Sequence, residues 1–188
     1  MVSNVYQNGL GVITCDDVIT ETPAGLFRTN TDLLELILPD SATVLGANMC
    51  YGCSSLVSAT ISNAITTLNS YLFRGCSSLV DVSIPENTTD VGNGVFYGCT
   101  DLTIIEIPNN VVSIGSSAFY RCSGLTNVII GNSVTSVGDS AFSECSNLKN
   151  ITLPNGVTSL GSKVFQKCES IVNITIPTSV TSIGTYAF

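Results

Sequence analysis

The sequence predicts a repeat solenoid, β-dominated, with parallel ladders joined by short helical or 3₁₀ turns and wound as eight coils. Three observations carry this. Cys53, Cys76, Cys99, Cys122, Cys145 and Cys168 recur every 23 residues. All seven Phe residues, from Phe27 to Phe188, occupy one place, 20 residues past such an anchor. Aliphatic residues recur three, eight and fifteen past nearly every anchor. Self-similarity at a fixed period of this size marks stacked units rather than one globular core.

The frame extends upstream through Asn30 to Gln7, giving repeats 7–29, 30–52, 53–75, 76–98, 99–121, 122–144, 145–167 and 168–188 as a single domain, with residues 1–6 as a lead-in. Within one unit, Leu125-Thr-Asn-Val-Ile-Ile130 alternates and is β-branched at its end, so it reads as a short strand. Pro or Gly closes it, because Pro cannot donate to a ladder. Val134-Thr-Ser-Val-Gly138 reads as a second extended segment ended by a Gly suited to a tight turn. Asp139–Glu144 is expected to form one helical or 3₁₀ turn with Phe142 pointing inward. No unit can bury its apolar side chains alone; stacking in register makes one continuous core.

Charged residues are 11% of the chain, and the polar remainder is largely Ser, Thr, Asn and Gly. The net charge is −8, with six bases, Arg28, Arg74, Arg121, Lys149, Lys163 and Lys167, no two of them adjacent. That pattern lacks the footprint of a nucleic-acid binder or of an anionic-membrane binder. No apolar run approaches the ~18 residues needed to span a bilayer. The first residues lack a basic region followed by an apolar one, so no secretory signal is read there.

The unit Cys-Ser-x-Leu-x-x-Ile-x-Ile-Pro-x-x-Val-Thr-Ser-Ile-Gly-x-x-Ala-Phe, nearly intact at 168–188, resembles the BspA-like leucine-rich repeat. The resemblance spans 7–188 and is closest in the last five repeats. Gln7 and Asn30 depart from the anchor Cys, Cys50 from the Phe, and Pro23 and Asn69 from the Gly. An Asn ladder is absent, apart from Asn87 and Asn110 at one register. The resemblance implies a leucine-rich-repeat-like fold in a non-enzymatic protein of bacterial or protozoan surfaces, with a role in adhesion. A virion or intracellular location is the alternative.

Cys50-Tyr-Gly-Cys53 has the spacing of redox and zinc sites. The repeat accounts for it more simply, since Cys53 is an anchor and Cys50 stands in the Phe column. Stacked anchor cysteines would lie ~4.8 Å apart, inside disulfide range, but in-register side chains point the same way. Reduced, packed thiols are therefore expected, with no metal and no cofactor. The chain has no His, which excludes Ser-His and Cys-His nucleophile pairs. The paired acids Asp16-Asp17, and Glu35 or Asp40, fall in turns or on the surface. Gly residues recur with the repeat and do not form a phosphate-cradling loop.

Two functions fit. The first is a recognition or adhesion solenoid for a protein or glycan partner. Its contact face would lie on outward strand positions, where Ile37, Glu106 and Ile129 break a row of Thr14, Thr60, Ser83, Thr152 and Thr175, flanked by Glu35, Asp81 and Ile104. The second is a structural spacer or virion decoration module with no ligand of its own. In either case the consensus-like end at Tyr186-Ala-Phe188 presents an uncapped coil and is expected to be covered by residues beyond 188, by a partner chain or by end-to-end association with a second copy.

Overall fold

The computed structural model describes residues 19–188 in full and, before them, the backbone of Val5–Gln7 and Leu10–Thr14. Cys15, Asp16-Asp17 and the side chain of Thr14 lie outside the described residues. Strands β1 (Val5–Gln7), β2 (Leu10–Thr14), β3 (Leu33–Ile37), β4 (Ser58–Thr60) and β6 (Asp81–Val82) make one ladder. The same side of the rod continues as β8 (Ile104–Ile107), β10 (Asn127–Ile130) and β12 (Asn150–Ile151). A second ladder of two-residue strands runs through β5 (Thr67–Leu68), β7 (Asp90–Val91), β9 (Ser113–Ile114), β11 (Ser136–Val137), β13 (Ser159–Leu160) and β14 (Ser182–Ile183). Pairing is parallel, and from β3 onward residues one period apart face each other, as Ile104, Asn127 and Asn150 do. The exception in direction is β1, which runs antiparallel to β2, so the lead-in contributes a strand.

The turn segment corrects the expectation of a helical or 3₁₀ turn. No helix occurs among the described residues, and hence none long and apolar enough to cross a membrane. The N–H groups of Ser117, Phe119 and Arg121 donate forward to the next coil, to carbonyls of Asp139, Ala141 and Ser143 at 2.8, 2.8 and 3.0 Å. Those of Ala118, Tyr120 and Cys122 donate back three residues, to Gly115, Ser117 and Phe119. A helix would spend every N–H inside its own segment and leave this side of the rod unladdered. Alternation instead serves both needs, and it requires left-handed residues at two fixed places per coil. Ser117, Ser140 and Lys163 hold φ of 56°, 55° and 59°, and Arg121, Glu144 and Lys167 hold 61°, 62° and 59°. In earlier coils Gly94 and Gly98 occupy the same places.

The recurring Gly after the second strand has a different reason from the tight turn expected of it. Gly92, Gly115, Gly138, Gly161 and Gly184 are not left-handed. A Cβ on Gly138 would lie 2.6 Å from the Ser116 nitrogen, and one on Gly161 2.4 Å from that of Asp139. The column is Gly because neighbouring coils touch backbone to backbone there. Pro23 and Asn69 stand in this column instead of Gly, and the Asn69 Nδ2 donates to the Leu45 carbonyl.

Between the ladders lies one continuous core. Phe73, Phe96, Phe119, Phe142, Phe165 and Phe188 stack with centroids 5.2–5.8 Å apart and rings within 24° of parallel. Cys50 interrupts the column before Phe73, and both it and Met49 are fully buried. The stack opens at the far end. Phe188 is 60% exposed and Tyr186 72%, and Ile171, Ile174, Ile176 and Val180 are only partly covered.

The two backbone constraints predict opposite responses at positions two residues apart. Gly138→Ala should lower unfolding free energy by about 1–3 kcal/mol, as overpacking does. Ser140→Gly, which removes a left-handed Cβ, should leave it unchanged or raise it by up to about 1 kcal/mol. Urea unfolding midpoints of both variants check this, and a loss of the same size in both would contradict it.

Candidate functional site

The expected contact face divides into parts. Glu35 and Ile37 lie half-buried on β3, in register with Ser58 and Thr60 of β4. Asp81 follows on β6, exposed and opposite Ser58. Ile104, Glu106 and Ile129 lie on the three-stranded part, where Ile129 pairs directly with Glu106. Ile104 is 56% exposed and Ile129 49%. The structure thus brings the last three together and sets Glu35 and Ile37 apart by a strand of small polar residues. It adds Val57 and Val80, exposed at the entry to β4 and β6. Sequence reasoning passed over them because it took only alternate strand positions as outward.

A second face is the turn segment, the six residues ending one place before each anchor. Five of the six bases are there, Arg28, Arg74, Arg121, Lys163 and Lys167, as are five of the six Tyr residues. Only Asp139 and Glu144 of the acids join them, so this face is net +3 and the rest of the chain −11. The place after each inward Phe or its substitute holds Arg28, Tyr51, Arg74, Tyr97 and Tyr120 in successive coils. Their side chains interleave. The Arg28 guanidinium lies 4.8 Å from the Tyr51 ring centre, and that of Arg74 lies 5.3 Å from Tyr51 and 4.3 Å from Tyr97. Tyr97 and Tyr120 follow at 4.8 Å. Each such cation–ring contact contributes about 0.5–1 kcal/mol at an exposed site.

The row continues into an ionic cluster. Arg121 Nε lies 2.8 Å from Glu144 Oε2, Tyr120 Oη donates to Glu144 Oε1 at 2.8 Å, and Lys167 Nζ is 3.5 Å away. The bond from Arg121, then that from Tyr120, lowers the Glu144 pKa. The hydrogen bond to Glu144 raises that of Tyr120. Beside the cluster is a pocket of about 360 Å³ lined by Thr100, Ser123, Ser146 and Glu169 together with Arg121, Glu144 and Lys167. Sequence reasoning missed this face. The signal was the alternation of Arg and Tyr immediately after the Phe column, which becomes visible only when that one column is read by itself.

The cysteine column is buried and bonded. The Cys122 thiol donates to the Phe96 carbonyl at 3.0 Å, Cys145 to Phe119 at 3.1 Å, and Cys99 to Phe73 at 3.3 Å. Each thiol satisfies a carbonyl of the preceding coil, which is why a small donor stands there. Among the described residues no set of three His, Cys, Asp or Glu side chains could hold a metal ion. Burial raises the Cys122 pKa to about 12 and that of half-buried Cys168 to about 11.

A family model described as "BspA type Leucine rich repeat region" matches residues 4–80 and 69–188, in six copies. No curated protein matches the chain in sequence. Among solved structures, a leucine-rich cell surface protein of Faecalibacterium prausnitzii is 25% identical over 91% of this chain, with a TM-score of 0.77. The chain spans 51% of that protein's length. The leucine-rich-repeat protein of T. pallidum is 29% identical over 80% of this chain and 73% of its own, with a TM-score of 0.74. A leucine-rich-repeat protein of Eubacterium ventriosum, 23% identical over 83% of this chain and 58% of its own, shares the fold with a TM-score of 0.55.

The thiol column makes stability sensitive to alkali. Near neutral pH the thiols are protonated whether folded or unfolded. Above the ordinary value of 9.0 the unfolded chain loses the Cys122 proton, while the folded chain holds it to about 12. Stability should therefore fall as pH rises through that window, by about 1.4 kcal/mol per pH unit for this thiol. Urea unfolding from pH 8 to 11 should show a shallower fall in Cys122→Ala than in the parent chain. Equal slopes, or disulfides found by thiol counting of the unfolded protein, would contradict it.

Proposed function

Because the chain belongs to the BspA-type leucine-rich-repeat family, we propose that it is a non-catalytic recognition module at a cell surface, binding a protein or glycan partner through its lateral faces. It acts as a single domain over residues 7–188, built of eight repeats. The observation that carries this is the pair of Ile side chains, Ile104 and Ile129, about half exposed on adjoining strands around Glu106. A spacer needs no such group, and an enclosed sheet face would not expose it. With Val80 and Asp81 beside them, these residues form a mixed apolar and acidic patch of the kind that marks interaction sites. The cell-surface description of the F. prausnitzii protein supports the location.

We propose further that the apolar Phe188 end is covered, either by chain that follows it or, in the 188-residue chain itself, by a second copy meeting it end to end. The antiparallel β1 closes the outer edge of β2 at the opposite end. Two Phe188 ends meeting would therefore bury like against like, as two-fold contacts do. Sedimentation at rising concentration should show a dimer that Phe188→Ser abolishes; a monomer throughout removes this contact.

Adhesion is tested with the chain displayed on a carrier cell and applied to immobilised mucin, matrix proteins and cultured cells. The paired variant Ile104→Ser/Ile129→Ser should lose at least about tenfold in bound cells, since two buried Ile contacts are worth a few kcal/mol. Retention by the variant equal to the parent would place recognition elsewhere. Failure of the parent to adhere to any surface would favour the spacer.

A further inference from the structure

We propose that the turn face is a binding surface for an acidic polysaccharide, one carrying carboxylate or sulfate groups along an extended chain. This rests on the recognition function above and gives it a second surface and a ligand class. The charge distribution is the first ground. A chain of net −8 has gathered five of its six bases onto one strip, so that this strip alone is net positive.

The geometry of the Arg–Tyr row is the second ground. Arg28, Tyr51, Arg74 and Tyr97 cover one another's faces, so the row offers edges. A guanidinium stacked on rings keeps its in-plane N–H donors free for a bidentate anion, and stacking holds it ready. Among the described residues the ion pairs engage Arg121 and Lys167, and Arg28 and Arg74 pair with no carboxylate there. These two arginines are two coils apart, ~9.6 Å at the ~4.8 Å spacing of stacked strands. That is close to the length of a disaccharide unit in an extended polymer with one acid per two sugars.

Other polymers fit less well. Bases of a single-stranded nucleic acid need free aromatic faces to stack on, and the faces are taken. A peptide bound as an added strand needs a free backbone edge. Here the turn backbone donates forward from one coil to the next and back within each coil. The pocket of about 360 Å³ beside Arg121 and Lys167 is also lined by Glu144 and Glu169, so it suits an uncharged part of the sugar, which the hydroxyls of Thr100, Ser123 and Ser146 can meet.

The test is calorimetric titration of the 188-residue chain with hyaluronan and chondroitin sulfate hexasaccharides, with neutral chitin hexasaccharide, oligo-dT and poly-glutamate as comparisons. The parent chain should bind at least one acidic sugar, more weakly as salt rises, and bind the neutral sugar at least tenfold less tightly. Arg28→Gln/Arg74→Gln should weaken acidic-sugar binding at least tenfold while the chain stays folded at the titration temperature, its melting temperature falling by several degrees as the cation–ring contacts are lost. Arg28→Lys/Arg74→Lys, which keeps charge without the planar fork, should recover less than half of that loss in free energy. Ile104→Ser/Ile129→Ser should bind the acidic sugar as the parent does, which separates this surface from the sheet face. No binding of either acidic sugar, equal binding of the neutral one, tighter binding of oligo-dT or poly-glutamate, or indifference to the Gln substitutions would each overturn the proposal. Adhesion through Ile104 and Ile129 would stand in all of those cases.

Discussion

The structure depends on coil meeting coil with backbone hydrogen bonds on every side. Strand segments meet this through parallel ladders, and the turn segment meets it by sending alternate N–H groups forward to the next coil. The spacing this enforces is close enough that a Cβ cannot enter at Gly138 or Gly161. The same spacing places successive Phe rings 5.2–5.8 Å apart, near stacking distance. The thiol column follows from it too, since each Sγ reaches a carbonyl of the coil before it.

Because position in the repeat decides direction, a single column carries one physical role along the whole rod. Columns facing inward tolerate little: Phe gives way once, to Cys50, itself fully buried. Columns facing outward are free to vary, and their variation is where recognition can reside. The sheet face varies by placing Ile and Glu among Thr and Ser. The turn face varies by placing Arg and Tyr, and there the spacing that stacks Phe inside stacks guanidinium on phenol outside. The two faces differ in charge, one acidic and apolar, the other cationic and aromatic, so they suit different partners.

The 23-residue period, the inward Phe and anchor columns, the strand segments and the family were all legible in the sequence, because each depends on residue type recurring at a fixed interval. Ile104, Glu106 and Ile129 were legible as departures from a column. The conformation of Asp139–Glu144 was not. A short segment with Ala and Phe reads as a helical turn, and only the demand of the next coil for donors makes it a chain of bends with left-handed residues at Ser140 and Glu144. The reason for the Gly column was hidden for a related cause: sequence shows that a Cβ is absent, but the backbone that would collide with it belongs to another repeat. The Arg–Tyr row lay in plain view as residues, but its stacking is a contact between side chains 23 positions apart. Periodicity, then, determined which side chains are inside. Contact between coils decided the backbone of the turns and the chemistry of the surface, since both are set by what the neighbouring coil presents.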